Sequence, residues 1–295
     1  MNDTIVAVHG RRVWDSRGRP TVEAEVRLAG GAVGRAIAPA GASTGSAEAL
    51  DRRDGGSAFG GLDVRGALAA VDGEIADLLR GRSAADQAGI DAALVALDGT
   101  PNKARLGGNA LVATSLAVAH AAAAARGVPL WRHLAGDAAD LRLPLPEIQV
   151  FGGGAHAGRR VDVQDFMVIA VGATSYAQAL DWTAEVYRAA GALMAEGGRL
   201  QGVADEGGFW PAFAGNEEAL DVLVRAIERA GFRPGDEVAI SLDIAATDFG
   251  RNGRYRLARD GREIDGEALA EMLLGWLARY PIVAIEDPLG EDDGD

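Results

Sequence analysis

The chain has 295 residues and a mass of 30.4 kDa, enough for one large or two ordinary domains with their own cores. A formal net charge of -14 and a pI near 4.8 argue against a nucleic-acid or anionic-membrane surface, and suit a solvated acidic surface or one that takes cations. Cysteine is absent, which excludes disulfides and thiolate metal sites; MNDTIVAVHGRR lacks a basic segment followed by an apolar one, so no signal peptide and a cytoplasmic protein are expected.

Thr4–Trp14, Thr21–Leu28 and Ala32–Ala38 alternate and are rich in β-branched residues, which predicts three strands. DSRGRP and AGG supply the turns, giving an antiparallel meander. Helical patterns follow at Asp63–Arg80, Ala84–Leu97 and Gly108–Arg126, the last ended by Gly127 and Pro129. The alanine-rich run from Leu111 is interrupted by His120 and hydroxyl residues and falls short of about 20 apolar residues, so it reads as a buried helix. GDAADLR, at residues 136–142, is a plausible linker, and domains over 1–136 and 137–295 are expected.

Beyond the linker, strands and helices alternate. Strands are predicted at Leu143–Val150, Phe166–Val171, Val238–Asp243, Tyr255–Leu257 and Ile282–Ile285, with helices at Ser175–Glu196, Asn216–Ala230 and Gly266–Tyr280. That alternation predicts parallel-sheet or barrel architecture. A complete (β/α) barrel needs eight strands over roughly 250 residues, whereas about four major strands are found here, so the barrel is read as incomplete.

Carboxylates recur where these strands end. Asp243 closes VAISLD, Glu286 closes PIVAIE, Asp165 precedes a strand, and Asp205 and Glu206 sit in the glycine-rich loop VADEGGFWP. A single strand-end carboxylate is most often a cap or a structural ion pair. Two on successive parallel strands, however, point to one barrel mouth, and oxygen donors without cysteine favour Mg²⁺ or a similar hard cation. GASTGSAEAL, with Ser43, reads as a turn or as a phosphate or cation loop. His156 lies between glycines in FGGGAHAG; a lone histidine is more often a surface or core residue than a catalyst, but the flanking glycines favour a mobile loop closing on ligand.

The order of WDSRGRPTVEAEV, APAGASTGSAEALDRRDG, LDGTPNKARLGGNA, SLAVA, GGAHAG, VDVQDFM, ADEGGF, SLDIAATDF and YPIVAIEDPL resembles enolase over the whole chain, and corresponds to the amino-terminal two thirds of that family. The resemblance implies an α+β amino-terminal domain, with a three-strand antiparallel meander plus helices, followed by an incomplete (β/α) TIM-like barrel of the enolase type. It implies Mg²⁺-dependent dehydration of 2-phosphoglycerate to phosphoenolpyruvate in a homodimer or larger assembly. Asp243 and Glu286 would then ligate the first Mg²⁺, and Ser43 would cap a second. Glu206 would be the general acid, while His156, Gln164 and Asp165 would contact or orient substrate.

Departures from the family pattern cluster at this site. Asp165 stands where the family usually has Glu, Ala204 where it has Gly, and Gly153 where it has Asn. Loss of one methylene at Asp165 withdraws the carboxylate by roughly 1 Å, a displacement able to cost on the order of 10²-fold in rate. A paralogue acting on a related phospho- or phosphono-carboxylate would show the same cluster, and a non-catalytic binding protein derived from enolase is a third reading. The family's third metal carboxylate, base lysine and phosphate clamp come from later barrel segments with no counterpart here, and Lys103 is the only lysine. The chain is therefore expected to be a fragment, inactive by itself.

Overall fold

A computed structural model describes residues 2–41, 43–138 and 140–293. Ala42 of the GASTG loop, Ala139 of the linker and the last two residues lie outside the described residues. The chain divides into two compact units, Met1–Leu141 and Arg142–Asp295.

In the first unit, β1 (Ile5–Trp14), β2 (Pro20–Leu28) and β3 (Val33–Ala38) form an antiparallel sheet in the order β1-β2-β3. Alternation on β2 assigns its two faces. Val22, Ala24, Val26 and Leu28 are buried in the core, while Glu25 on the opposite face meets arginines. The helices are α1 (Arg65–Ala70), α2 (Ala76–Leu79), α3 (Gln87–Asp98), α4 (Gly108–Ala125) and α5 (Leu130–Ala135). Between α1 and α2 the expected continuous helix widens into a π turn over Val71–Ile75, where Gly73 leaves helical backbone at φ -104, ψ -105. α3 starts later than predicted because Asp86 caps it, accepting from the Gly89 amide at 3.0 Å.

The alanine-rich α4 is long and apolar enough to span a membrane by composition, but 67 % of it is buried within this unit. Its small side chains let it lie directly on the sheet. A Cβ on Gly34 of β3 would stand 2.2 Å from the Ala117 carbonyl, so only glycine permits that approach.

The second unit contains β4 (Glu147–Gly152), β5 (Asp165–Ile169), α6 (Tyr176–Glu196), α7 (Asn216–Arg229), β6 (Ala239–Asp243), β7 (Gly250–Arg251), β8 (Arg254–Leu257), β9 (Arg262–Asp265), α8 (Gly266–Arg279) and β10 (Ile282–Glu286). β4 begins four residues later than predicted. Pro144 and Pro146 precede it and have no amide to donate, and Leu143 is 76 % exposed. β7, β8 and β9 make a small antiparallel sheet of which only β8 was predicted; the two-residue β7 and the polar β9 carry little pattern.

The main sheet has the order β10-β6-β5-β4. β6 and β10 are parallel, as expected, and β5 runs antiparallel to both β4 and β6, a direction the alternation of strands and helices does not specify. Phe166, Val168, Ile240 and Leu242 pack with α6, α7 and α8 in one core cluster. The alternate residues of the same strands, including Asp165 and Asp243, take the opposite face. Among the described residues β10 is paired only with β6, Val283 is 55 % exposed, and no closed barrel forms.

Candidate active site

The reversal of β5 builds the site. Because it runs against its neighbours, its first residue lies at the sheet edge where β4, β6 and β10 end. Register then aligns Gly152 with Asp165, Asp165 with Asp243, and Asp243 with Glu286, one row across four strands. Neighbouring strands are about 4.8 Å apart, so three carboxylates are stacked side by side. Asp165 is 4 % exposed, Asp243 half-buried and Glu286 exposed.

None of the three forms an ion pair with an arginine or lysine among the described residues. Burial pushes the Asp243 carboxyl up to about 6; the Ala245 amide opposes this, and the charges of Glu286, Asp165 and Asp287 add to it. Asp165 is also raised, by burial first, against the hydrogen bond from Gln149, with the Glu206 charge adding further. The backbone just past two of these strands is strained: Ala245 and Asp287 adopt left-handed conformations at φ 46 and 43.

Side-chain amides organise the row. Gln164 Nε2 donates to Asp243 Oδ2 at 2.8 Å, and the Ala245 amide donates to Asp243 Oδ1 at 2.9 Å. Gln149 was missed by sequence reading, although a glutamine inside the apolar strand IQVFG is itself a signal. Its Nε2 donates to Asp165 Oδ1 and approaches Glu206 Oε2 at 3.4 Å, and its Oε1 accepts from the Gly208 amide at 2.8 Å. One buried amide thus holds the strand carboxylate and the DEGG loop together.

His156 and Glu206 arrive on loops. Glu206 sits in a tight turn closed by the Gly207 amide on the Ala204 carbonyl at 3.0 Å, and its side chain is 50 % exposed. His156 lies in a 3-10 turn over Gly154–Ala157; its side chain is 5 % exposed and its Nε2 stands 3.4 Å from Glu206 Oε1. The expected mobile loop is braced. The Gly153 amide donates to the Gln164 carbonyl at 2.6 Å, Trp210 Nε1 donates to the Ala157 carbonyl, and Asn216 Oδ1 accepts from the Asp162 and Val163 amides. This packing accounts for Gly153, because a Cβ there would meet the Val163 carbonyl at 2.2 Å.

The structure therefore gathers His156, Gln164, Asp165, Glu206, Asp243 and Glu286 within one unit. Ser43 belongs to the other, half-buried in the loop that follows β3. A family model described as "Enolase, N-terminal domain" matches residues 5–134, and one described as "Enolase, C-terminal TIM barrel domain" matches residues 140–295. The chain belongs to the enolase family. That places it in a lyase-type, generally metal-dependent enzyme family, and the oxygen-rich row suits such chemistry. Gln164 Oε1 and His156 Nδ1 are buried without a hydrogen-bond partner, two acceptor or donor positions left over at the same edge.

Proposed function

We propose that the protein carries out Mg²⁺-dependent dehydration of 2-phosphoglycerate to phosphoenolpyruvate, in the cytoplasm and as a homodimer or larger assembly. The observation that carries this reading is the row Asp165, Asp243 and Glu286 at one sheet edge, without an arginine or lysine ion pair among the described residues and faced by His156 and Glu206. Asp243 and Glu286 would hold the cation, with Gln164 fixing the Asp243 carboxylate. Bound there, Mg²⁺ supplies charge stabilisation for the electron-rich form of a carboxylate substrate, worth several kcal/mol.

Glu206 delivers the proton to the departing 3-hydroxyl. It is half-exposed and therefore open to substrate, and Gln149 and His156 orient its two oxygens. Asp165, held by Gln149 and Gln164, positions substrate. A paralogue acting on a related phospho- or phosphono-carboxylate is the second reading, favoured by the shortened carboxylate of Asp165 and its fixed position between two glutamines.

Proton abstraction needs a base. The single lysine, Lys103, donates its Nζ to the carbonyls of Thr100 and Pro101 at 3.1 and 3.3 Å in its own loop, and so does not serve. These 295 residues alone are therefore expected to bind without turning over. Calorimetric titration with 2-phosphoglycerate should give heats that require Mg²⁺, with no phosphoenolpyruvate formed in a coupled assay. Binding indifferent to Mg²⁺ would remove the metal-assisted reading, and turnover would show that a base lies within the chain.

A further inference from the structure

The second unit also holds a cavity that none of the six residues gathered at the sheet edge lines. It measures about 600 Å³ and lies between the loop after β4 and the β7–β8 hairpin, with Arg159, Asp162, Asp248, Phe249, Arg251 and Arg256 in its walls. The two sides are tied together by arginines. Arg159 Nη1 donates to the Asp248 carbonyl at 3.0 Å, and Arg259 Nε donates to the Arg160 carbonyl at 2.6 Å.

The charge of this cavity runs against that of the chain. Arg159, Arg251 and Arg256 make no ion pair with a carboxylate among the described residues, in a protein of net charge -14. Elsewhere in the unit arginines find acids, as Arg229 does Glu196 and Arg279 does Glu217, both at 2.7 Å. Strand alternation presents two of the three. On β8, Tyr255 and Leu257 are buried while Arg254 and Arg256 share the outer face, and Arg251 of β7 stands opposite Arg254. Arg159 is placed at a cost in backbone energy: it holds left-handed φ of 58, with its amide donating to the Gly154 carbonyl at 2.7 Å.

We propose that this cavity binds a nucleoside phosphate, with its phosphates on Arg159, Arg251 and Arg256, at a position separate from the dehydration site. Three guanidinium groups offer the forked donors that phosphate oxygens take. The two acids in the walls do not use them up. Asp162 spends both oxygens inside the fold, Oδ1 on the Ala258 amide at 2.8 Å and Oδ2 on Asn216 Nδ2 at 3.2 Å. Asp248 Oδ2 is buried with no hydrogen-bond partner, a spare acceptor of the kind that takes a ribose hydroxyl. The volume lies within the range of roughly 300–1,000 Å³ for small-molecule sites and exceeds what a free phosphate fills. The half-buried Phe249 adds an aromatic wall for the base.

The test is calorimetric titration of the full chain with ADP in EDTA, which keeps divalent cations away from the carboxylate row. One ADP per chain is expected, and adenosine, lacking the phosphates, should bind more weakly by about tenfold or more. Arg251→Gln combined with Arg256→Gln should weaken ADP binding by about tenfold or more. Arg254→Gln is the matched control: its guanidinium on the same small sheet is already engaged by Glu263 at 3.2 Å, so ADP affinity should not change. Thermal unfolding of each variant establishes that it is folded. Absence of saturable ADP binding, adenosine binding as tightly as ADP, undiminished affinity in the double variant, or an equal loss in Arg254→Gln would each overturn the assignment. So would displacement of ADP by 2-phosphoglycerate in Mg²⁺, which would put the nucleotide in the dehydration site.

Discussion

The two units treat buried carboxylates in opposite ways. In the first, Glu25 on the central strand is 3 % exposed and surrounded by Arg11, Arg27 and Arg35 at 2.8, 2.8 and 2.6 Å. The Arg11 hydrogen bond, then that of Arg35, bring its carboxyl down to about 2. Asp63 is likewise buried between Arg12 and Arg65, both at 3.0 Å; burial works to raise its pKa, but the Arg12 hydrogen bond and the Val64 amide keep it below the usual range. In the second unit, Asp165 and Asp243 are raised, and their neighbours are other carboxylates. A net charge of -14 says nothing about this contrast. Charge that the fold compensates is structural, whereas charge stacked without a counter-ion points to a cation or substrate supplied from outside.

Breaking the compensated cluster should have the largest effect. Glu25→Ala leaves three guanidinium groups converging on an empty position of β2. A cost of about 3 kcal/mol is expected, at the low end for a broken buried pair because the arginines reach solvent. Urea unfolding of the first unit would measure it. The same pair fixes an acid limb. Glu25 has a folded pKa of about 2, below its ordinary 4.5, so its stabilisation is present above pH 4.5 and is lost as pH falls from 4.5 through 2. Glu25→Gln should flatten that limb, and an unchanged acid limb would show that the arginines do not stabilise the carboxylate as argued.

The uncompensated row predicts the reverse. Asp243→Asn removes one charge from between Asp165 and Glu286 while leaving an oxygen for the Gln164 amide. In Mg²⁺-free buffer the variant should be no less stable than the native chain. With Mg²⁺ at ten times its Kd, the native chain should gain about 1.4 kcal/mol and the variant nothing, read as a shift in the unfolding midpoint. Equal Mg²⁺ stabilisation in both would move the cation off β6.

Much of this contrast was legible in the sequence, and the remainder failed for identifiable reasons. The β1–β3 meander follows from strict alternation and two glycine turns. Asp243 and Glu286 announced themselves as carboxylates closing apolar runs, and the register sets them side by side. Strand direction was not legible: nothing local distinguishes an antiparallel β5 from a parallel one, and that reversal is what brings Asp165 from the start of a strand to the end of its neighbours. Gln149 was passed over because single polar residues in strands rarely count as signals, though a glutamine only 6 % exposed demands partners. The π turn at Gly73 and the fragmentary β7 and β9 lie below what periodicity resolves.

The smallest effect concerns how the second unit holds its two loops. Trp210 follows the DEGG turn and reaches the histidine loop: its Nε1 donates to the Ala157 carbonyl, its ring lies over Gly158, and the Arg160 guanidinium sits 5.5 Å from the ring centroid. His156 and Glu206 are thus joined twice, once through their own contact and once through this indole. Trp210→Phe keeps a ring of similar character but removes the N–H, leaving the Ala157 carbonyl to water. The expected loss is about 1 kcal/mol, the worth of one neutral hydrogen bond. Because the contact is local, hydrogen exchange should quicken at Ala155–Gly158 while the β2 amides of the first unit stay as protected as before. Faster exchange in both units would mean that the indole supports the fold at large, and the loops' alignment would then have to come from Gln149 and Asn216 alone.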